Sequence, residues 1–349
     1  MSFRTRFEMA GRPVGDGAGC MVVAEIGPNH NGDIAEAFAL VDAAADAGSD
    51  AVKFQYRIVE AELFDRETRS YYYDESRYDF VQRVQVFPHE IHRDLRRHAA
   101  ARGMAYICSA MCEEAVERIA DLQPDGIKIP SGEVNNPWLL DRAATSGYPV
   151  IASSGMSAGP EIDAMMDILG GAGGGGADDV ILLHCMSEYP TRLEDMHLHM
   201  VTGLRRRYGC LSGLSDHSRR REVATSVALG AAMIEVHFTR DRDASGPDHH
   251  VSLLPAEMVD LVGAVRDLEA ALGGEEKILG EHAENMRGTF TNSIVTRRDV
   301  AVGEVLGRDN LALKKPGTGL GPDRLADVLG RAAGRDLPMD TPVSLEDLA

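Results

Sequence analysis

Eight short apolar runs recur through the first 240 residues, and nearly every one ends on a polar side chain. They occupy 21–25, 51–55, 105–109, 126–131, 150–154, 180–184, 211–217 and 233–237. Runs apolar on both faces are typical of parallel strands covered by helices. Between them lie stretches with helical spacing of apolar residues, at 34–47, 89–102, 112–122, 137–145, 220–230 and 255–272. Strand and helix alternating in this way imply parallel pairing through right-handed crossovers. Eight repeats favour closure into an eight-stranded (β/α) TIM barrel over the alternative, an open doubly wound sheet. In such barrels the active site is built at the C-terminal ends of the strands, where this chain places Glu25, Gln55, Ser109, Ser131, Ser153, His217 and His237.

After about Gly273 the pattern becomes polar through Glu284 and then turn-rich, with short strand-like runs at 293–296, 299–304 and 311–319. The expected division is a barrel over 1–280 and a linker plus small β-rich module over 281–349. Such a module is too small to bury much core alone, so it is expected to lean on a barrel, its own or a partner's.

With 36 Lys and Arg against 55 Asp and Glu, the formal charge is −19. That balance argues against nonspecific binding to nucleic acid or anionic membrane, which require a basic surface. An anionic substrate must then be held by local cations, which makes Lys53 and Lys128, both inside apolar runs, more informative than surface lysines. No apolar stretch approaches a membrane span and no signal-peptide layout opens the chain, so a cytoplasmic protein is expected. The five cysteines are scattered without a CxxC pair, which argues against disulfides and zinc knuckles. Cys108 and Cys185, inside strand-like runs, read as small buried hydrophobes. The glycine run 170–176 reads as a flexible loop without chemistry, because it lacks the ending of a phosphate cradle.

Residues two apart on a strand share a face, so Lys53 pairs with Gln55 and Glu235 with His237. Lys53 and Lys128 together suit a phosphate or carboxylate, with Ser131, Ser153 and Ser215 as added donors. His217 and His237 end adjacent strands, and with Glu235, Asp216 and Asp248 nearby they make a candidate divalent-metal site. Imidazole ligands suit Mn²⁺ and Zn²⁺ better than a pure Mg²⁺ site; the expectation is Mn²⁺, with Mg²⁺ able to substitute. Glu25, a carboxylate at a strand end, must be paired, metal-linked or shifted in pKa.

The segments AEIGPNHNG (24–32), VKFQ (52–55), KIPSGEVNN (128–136), SSGMS (153–157), HCMSEYPT (184–191), GLSDHS (213–218), IEVHFT (234–239) and GPDHHVS (246–252) resemble the sialic acid synthases. The tail from Ser293 to Gly319 resembles their C-terminal antifreeze-like (SAF) module. The resemblance implies a transferase that condenses phosphoenolpyruvate (PEP) with an open-chain N-acylated amino sugar, releasing phosphate and forming a 2-keto-3-deoxy acid. It also implies a domain-swapped homodimer whose SAF module closes the partner's barrel. By motif position Lys53, Lys128, Ser131, Ser153 and Ser215 would hold PEP, His217 and His237 the metal, and Glu25 would serve acid/base steps. Gln55, Ser109, Glu133, Tyr189 and Asp248 would line the sugar side.

Two positions depart from the family pattern. Lys315 stands where the SAF arginine reaches the acyl-amino group, and lysine lacks that planar fork. Thr291 replaces an arginine often found ahead of the first SAF strand. Both imply altered acceptor specificity or interdomain docking. A metal-dependent pyruvate aldolase and a noncatalytic carbohydrate-binding barrel are the alternatives. The first would not need the lysine and serine set, and the second predicts loss of Glu25, a lysine or a histidine.

Overall fold

A computed structural model describes residues 3–69, 75–172, 174–274 and 276–349. It opens with a hairpin, β1 (Arg6–Met9) and β2 (Arg12–Gly15), that the periodicity reading passes over. Ala10 and Gly11 both take positive φ, at 51° and 71°, which gives the two-residue turn whose twist matches paired strands. Eight parallel strands follow: β3 (Met21–Glu25), β4 (Ala51–Tyr56), β5 (Ala105–Ala110), β6 (Gly126–Ile129), β7 (Val150–Ser153), β8 (Val180–Cys185), β9 (Leu211–Asp216) and β10 (Met233–His237). They close into a barrel in chain order, with β10 pairing β3. The expected architecture is therefore present, and each apolar run corresponds to one barrel strand.

The outward faces of the strands pack against the surrounding helices in one continuous core that includes Val22, Val52, Phe54, Tyr106, Ile127, Leu182 and Ile234. The inward faces divide by height. Toward the strand N-termini Met21, Val23, Ile107, Ile151, Leu211 and Met233 cluster with Phe7, Met9 and Val14 of the hairpin, which plugs that end. A side chain on Gly126 would meet the Met9 methyl at 2.9 Å, so the glycine makes room for the plug. Polar side chains are left for the opposite end, where the register sets His237 beside Glu25, Glu25 beside Lys53 and Gln55 beside Ser109. Ser109 in turn lies beside Lys128.

Elsewhere the elements differ from expectation. Residues Arg221–Leu229 form a 3₁₀ helix instead of an α-helix. Val223, Thr225 and Val227 are stiff at χ1, and the Ser226 hydroxyl donates to the Val223 carbonyl at 2.8 Å, so the segment has local competition against α geometry. Helices at Arg77–Val84, Gly159–Leu169 and His199–Tyr208 add to those read from spacing. Gly173 of the glycine run lies outside the described residues.

The chain divides into compact units at Met1–Gly273 and Gly274–Ala349, so the segment before residue 281 groups with the second unit. In that unit β11 (Ser293–Thr296) pairs antiparallel with β12 (Leu311–Lys314). The 299–304 run is not a strand; Val300 and nearby Val305 make single bridges to Leu337 and Ala332. Ile294, Val300, Leu306, Leu311, Val328, Leu337 and Val343 give the unit a core of its own.

Two buried histidines under the barrel's helices make its stability depend on acid. His30 Nδ1 accepts from the Gly32 N–H at 3.1 Å and stacks on Phe87, while His92 Nδ1 shares a hydrogen bond with the Tyr106 hydroxyl at 2.9 Å. Burial lowers the pKa of His30 from 6.5 to about 4 and that of His92 to about 3. The unfolded chain therefore takes up protons below pH 6.5 that the folded chain refuses. Each group weakens the fold by about 1.4 kcal/mol per pH unit in that window, and neither contributes a slope above it. Urea titrations should give a lower midpoint at pH 5 than at pH 7.5, and His92→Phe should flatten that slope even if it lowers stability. An unchanged slope in the variant would remove His92 from the account.

Candidate active site

At the C-terminal mouth of the barrel a cavity of about 350 Å³ is lined by Glu25, Lys53, Gln55, Ser109, Lys128, Ser131, Ser153, Tyr189, Ser215, His217, His237 and Asp248. These come from all eight strands or the loops that follow them. Glu235, Met111, Pro130, Gly132, Met156, Cys185 and Ser187 complete the wall. A larger, mainly apolar cavity of about 1010 Å³ adjoins it, sharing Met156, Cys185 and Ser187, but no lysine or carboxylate lines that space. The chemistry therefore belongs to the smaller one.

Its floor is a buried cluster of two lysines and two carboxylates, each 5% exposed or less. Lys53 Nζ lies 2.7 Å from Glu25 Oε2 and 3.7 Å from Glu235 Oε1, and Lys128 Nζ lies 3.5 Å from that same Glu235 oxygen. Gln55 Nε2 donates to Glu25 Oε1 at 2.9 Å, Lys53 to the Ser109 hydroxyl at 3.1 Å, and the Ser215 hydroxyl to Glu235 at 3.1 Å. Burial opposes charge on both lysines. For Lys53, Glu235 and Glu25 outweigh that penalty and raise its pKa. For Lys128 burial prevails over Glu235, with Lys53 adding repulsion, and the pKa falls. Burial alone would raise Glu235, yet Lys128 and Lys53 hold it below the usual carboxylate range.

Three hydroxyls and a thiol frame the side near β7 and β8. A Cβ on Gly155 would fall 2.3 Å from Ser187 Oγ, 2.7 Å from Ser131 Oγ and 2.9 Å from Cys185 Sγ, so the glycine keeps this cradle open. Ser131 Oγ contacts Cys185 Sγ at 3.7 Å, and the buried Ser153 hydroxyl has no hydrogen-bond partner among the described residues. Cys185 is therefore part of the cavity wall, where spacing read it as a packing residue. Ser187, inside HCMSEYPT, is a site residue that the same reading passed over.

Beyond β8 the Tyr189 ring lies 4.1 Å from the His217 ring, which lies 5.2 Å from that of His237. His217 Nδ1 donates to the Met186 carbonyl at 2.8 Å, leaving Nε2 to the cavity. His237 Nδ1, 3.4 Å from Asp248 Oδ2, has no aligned hydrogen-bond partner among the described residues. Burial lowers both imidazoles to a pKa of about 3. Neutral rings with free nitrogens are the form that ligates a cation. Among the described residues no group of three His, Cys, Asp or Glu is placed to hold a metal; His217 and His237 are the imidazoles that could face a cation. Burial, with Glu25 adding, raises Asp248 to about 7.

Loops following β3 and β10 are pinned to each other and aim Asp248. Asn29 Nδ2 donates to the Phe238 carbonyl and the Ser252 hydroxyl, and Asn31 bonds His249, whose other nitrogen meets Thr239. Gly27 keeps the space between them, since a Cβ there would crowd Glu25 Oε1 at 3.2 Å.

Two expected site residues, Glu133 and Asp216, turn away from the cavity. Glu133 does not line the cavity; its carboxylate accepts from Asn136 Nδ2 at 2.9 Å within the turn after β6. Asp216 points into its own loop, accepting from the Ser218 N–H and hydroxyl. Lys315 belongs to the second unit, its ammonium 5.8 Å from the centre of the Phe290 ring.

The barrel, its plugged base and the buried ammonium–carboxylate cluster at its mouth are those of a (β/α)-barrel enzyme. Residues 40–277 match the NeuB family and residues 291–349 match the SAF domain, so the chain belongs to the NeuB family of sialic acid synthases. It is 33% identical over 345 residues to the N,N'-diacetyllegionaminic acid synthase of Legionella pneumophila, covering 97% of each chain. Among solved structures it resembles the spore coat polysaccharide biosynthesis protein SpsE of Bacillus subtilis (TM-score 0.67, 29% identity, 99% of each chain). It also resembles the N-acetylneuraminic acid synthetase of Leptospira borgpetersenii in complex with citrate (TM-score 0.72, 27% identity, 81% of this chain and 95% of that one).

Glu235→Gln tests the shared carboxylate. Removing one partner of a buried charge cluster costs about 3–5 kcal/mol, because the ammonium groups lose their counterion. The variant should unfold at lower urea, and added phosphate should raise its melting temperature more than that of the wild type. Equal stability would mean that the lysines do not depend on Glu235.

Proposed function

We propose that this enzyme condenses PEP with an open-chain aldose, an N-acylated amino hexose or a related sugar, to give a 2-keto-3-deoxy acid of sialic acid type and phosphate. The observation that carries the reading is the convergence of Lys53, Lys128, Ser131, Ser153 and Ser215 in one cavity with Glu25, Gln55 and Asp248. The lysines and serines take the phosphate and carboxylate of PEP through charge-assisted hydrogen bonds. Gln55, Ser109, Tyr189 and Asp248 face the sugar. The C3 of PEP forms the new bond to the aldehyde carbon, water adds at C2, and the tetrahedral intermediate expels phosphate. Glu25, held by Gln55 and Lys53, holds or moves a proton beside the reacting carbons. Asp248, with a pKa near neutrality, can either donate to or accept from a sugar hydroxyl.

His217 and His237 are the residues that would hold a divalent cation, Mn²⁺ first and Mg²⁺ as a substitute, supplying Lewis acidity toward the aldehyde oxygen. A domain-swapped homodimer, with Lys315 of the SAF unit at the acceptor of the partner's barrel, completes the reading, as does a cytoplasmic place of action. Among the described residues no helix is long and apolar enough to cross a membrane.

Phosphate release from PEP by metal-stripped protein, with and without Mn²⁺, tests the reading against N-acetylmannosamine, diacetamido-trideoxyhexoses and plain aldoses. Release that requires both metal and one sugar is the expected result; failure to bind PEP would refute it. Lys128→Ala should raise the KM for PEP roughly 10- to 100-fold, the loss of one charge-assisted contact.

A further inference from the structure

Residues 186–191, directly after β8, carry several groups of the candidate site. Met186 presents its backbone carbonyl to His217 Nδ1 at 2.8 Å, Ser187 belongs to the hydroxyl cradle, and the Tyr189 ring lies 4.1 Å from the His217 ring. This loop is closed by Thr191, a buried residue that does not itself line the reaction cavity. Its hydroxyl donates to the Glu188 carbonyl at 2.9 Å and reaches the Met186 carbonyl at 3.3 Å. Its N–H donates to the His217 carbonyl, also at 3.3 Å.

One loop therefore grips His217 at both its backbone and its ring. The backbone is held from the other side too, since Asp216 accepts from the N–H and the hydroxyl of Ser218. What is left to set is the imidazole. A carbonyl can only accept, so the Met186 contact puts the ring proton on Nδ1 and leaves Nε2 bare. That contact is only as firm as the carbonyl that makes it. A loop carbonyl turns to water unless a second donor fixes it, and among the described residues the Thr191 hydroxyl is that donor. His237 gives the contrast, because its Nδ1 has no aligned partner among the described residues.

We propose that Thr191 is a positioning residue for the imidazole pair. Its hydroxyl fixes the Met186 carbonyl, which holds His217 as the Nδ1–H tautomer, and through that carbonyl it sets how tightly His217 and His237 hold a divalent cation. The effect on the tautomer stands on the geometry alone. The effect on cation affinity rests on the condensation reading, in which the imidazoles would hold the metal.

The test compares wild type with T191V, which keeps the branched shape and removes the donor, and with T191S, which restores it. Long-range proton–nitrogen correlation spectra of the metal-stripped, full-length protein labelled with ¹⁵N-histidine report the tautomer, with the His217 signals assigned by their loss in H217Q. The expected result is a single Nδ1–H tautomer in wild type and T191S, and a mixture of both neutral tautomers in T191V. Free Mn²⁺, followed by its electron paramagnetic resonance during titration, should show binding roughly 10- to 100-fold weaker in T191V, the usual loss when the partner of a ligating histidine is removed. T191S should return the affinity to that of wild type, and calorimetry should show the same PEP affinity in all three. A single Nδ1–H tautomer in T191V, or Mn²⁺ affinity equal to that of wild type, overturns the proposal. So does an equal loss of PEP and Mn²⁺ affinity, or a T191S protein that behaves like T191V, since Thr191 would then only support the loop. A wild type that shows the single tautomer and takes up no Mn²⁺ refutes the cation reading, and with it the claim on affinity, while the tautomer result still judges the claim on position.

Discussion

Everything at the mouth of this barrel depends on a cluster of opposite charges buried where water cannot screen them. Glu25, Lys53, Lys128 and Glu235 come from β3, β4, β6 and β10, so the cluster joins the first and last barrel strands to strands between them. An uncompensated charge at such depth is costly enough that the group would neutralise or the fold would open. The cluster therefore also fixes register. A slip of one residue on any of these strands would turn the charge outward, into the layer where Ala24, Val52, Ile127 and Ile234 meet the helices.

The same arrangement prepares the site for an anion. Two ammonium groups against two carboxylates leave the empty cavity close to neutral, and the two lysines are not equivalent. Lys53 has two carboxylate neighbours and holds its proton tightly, whereas Lys128 shares Glu235 with Lys53 and holds its own less firmly. On the proposed condensation a phosphate beside Lys128 would also meet the Ser153 hydroxyl, which has no hydrogen-bond partner among the described residues. Preorganised donors of this kind need little rearrangement when charge arrives, which is the condition for electrostatic catalysis.

Much of this was legible in the sequence because a barrel concentrates its chemistry at strand ends. An apolar run broken by Lys53 and Gln55, or by Glu235 and His237, identifies both the strand and its inward face. What periodicity could not supply was anything defined by a loop's own geometry. Glu133 sits among quoted motif residues yet turns back to Asn136, and Asp216 closes on Ser218, because short turns satisfy carboxylates with their own backbone and near neighbours. Ser187 and Cys185 become site residues only when Gly155 brings three chain segments together. The hairpin plug escapes periodicity for a different reason. Phe7, Met9 and Val14 are too few and too widely spaced to read as a core until the barrel's inner face is known.

Net charge and local charge act on different scales here. At physiological ionic strength the field of a surface charge fades over about 8 Å, so the excess of carboxylates elsewhere on the chain has little influence inside the mouth. Selection among anions then falls to the cations within that distance. Lys53 and Lys128 are shielded by their own carboxylates and respond to a ligand already inside.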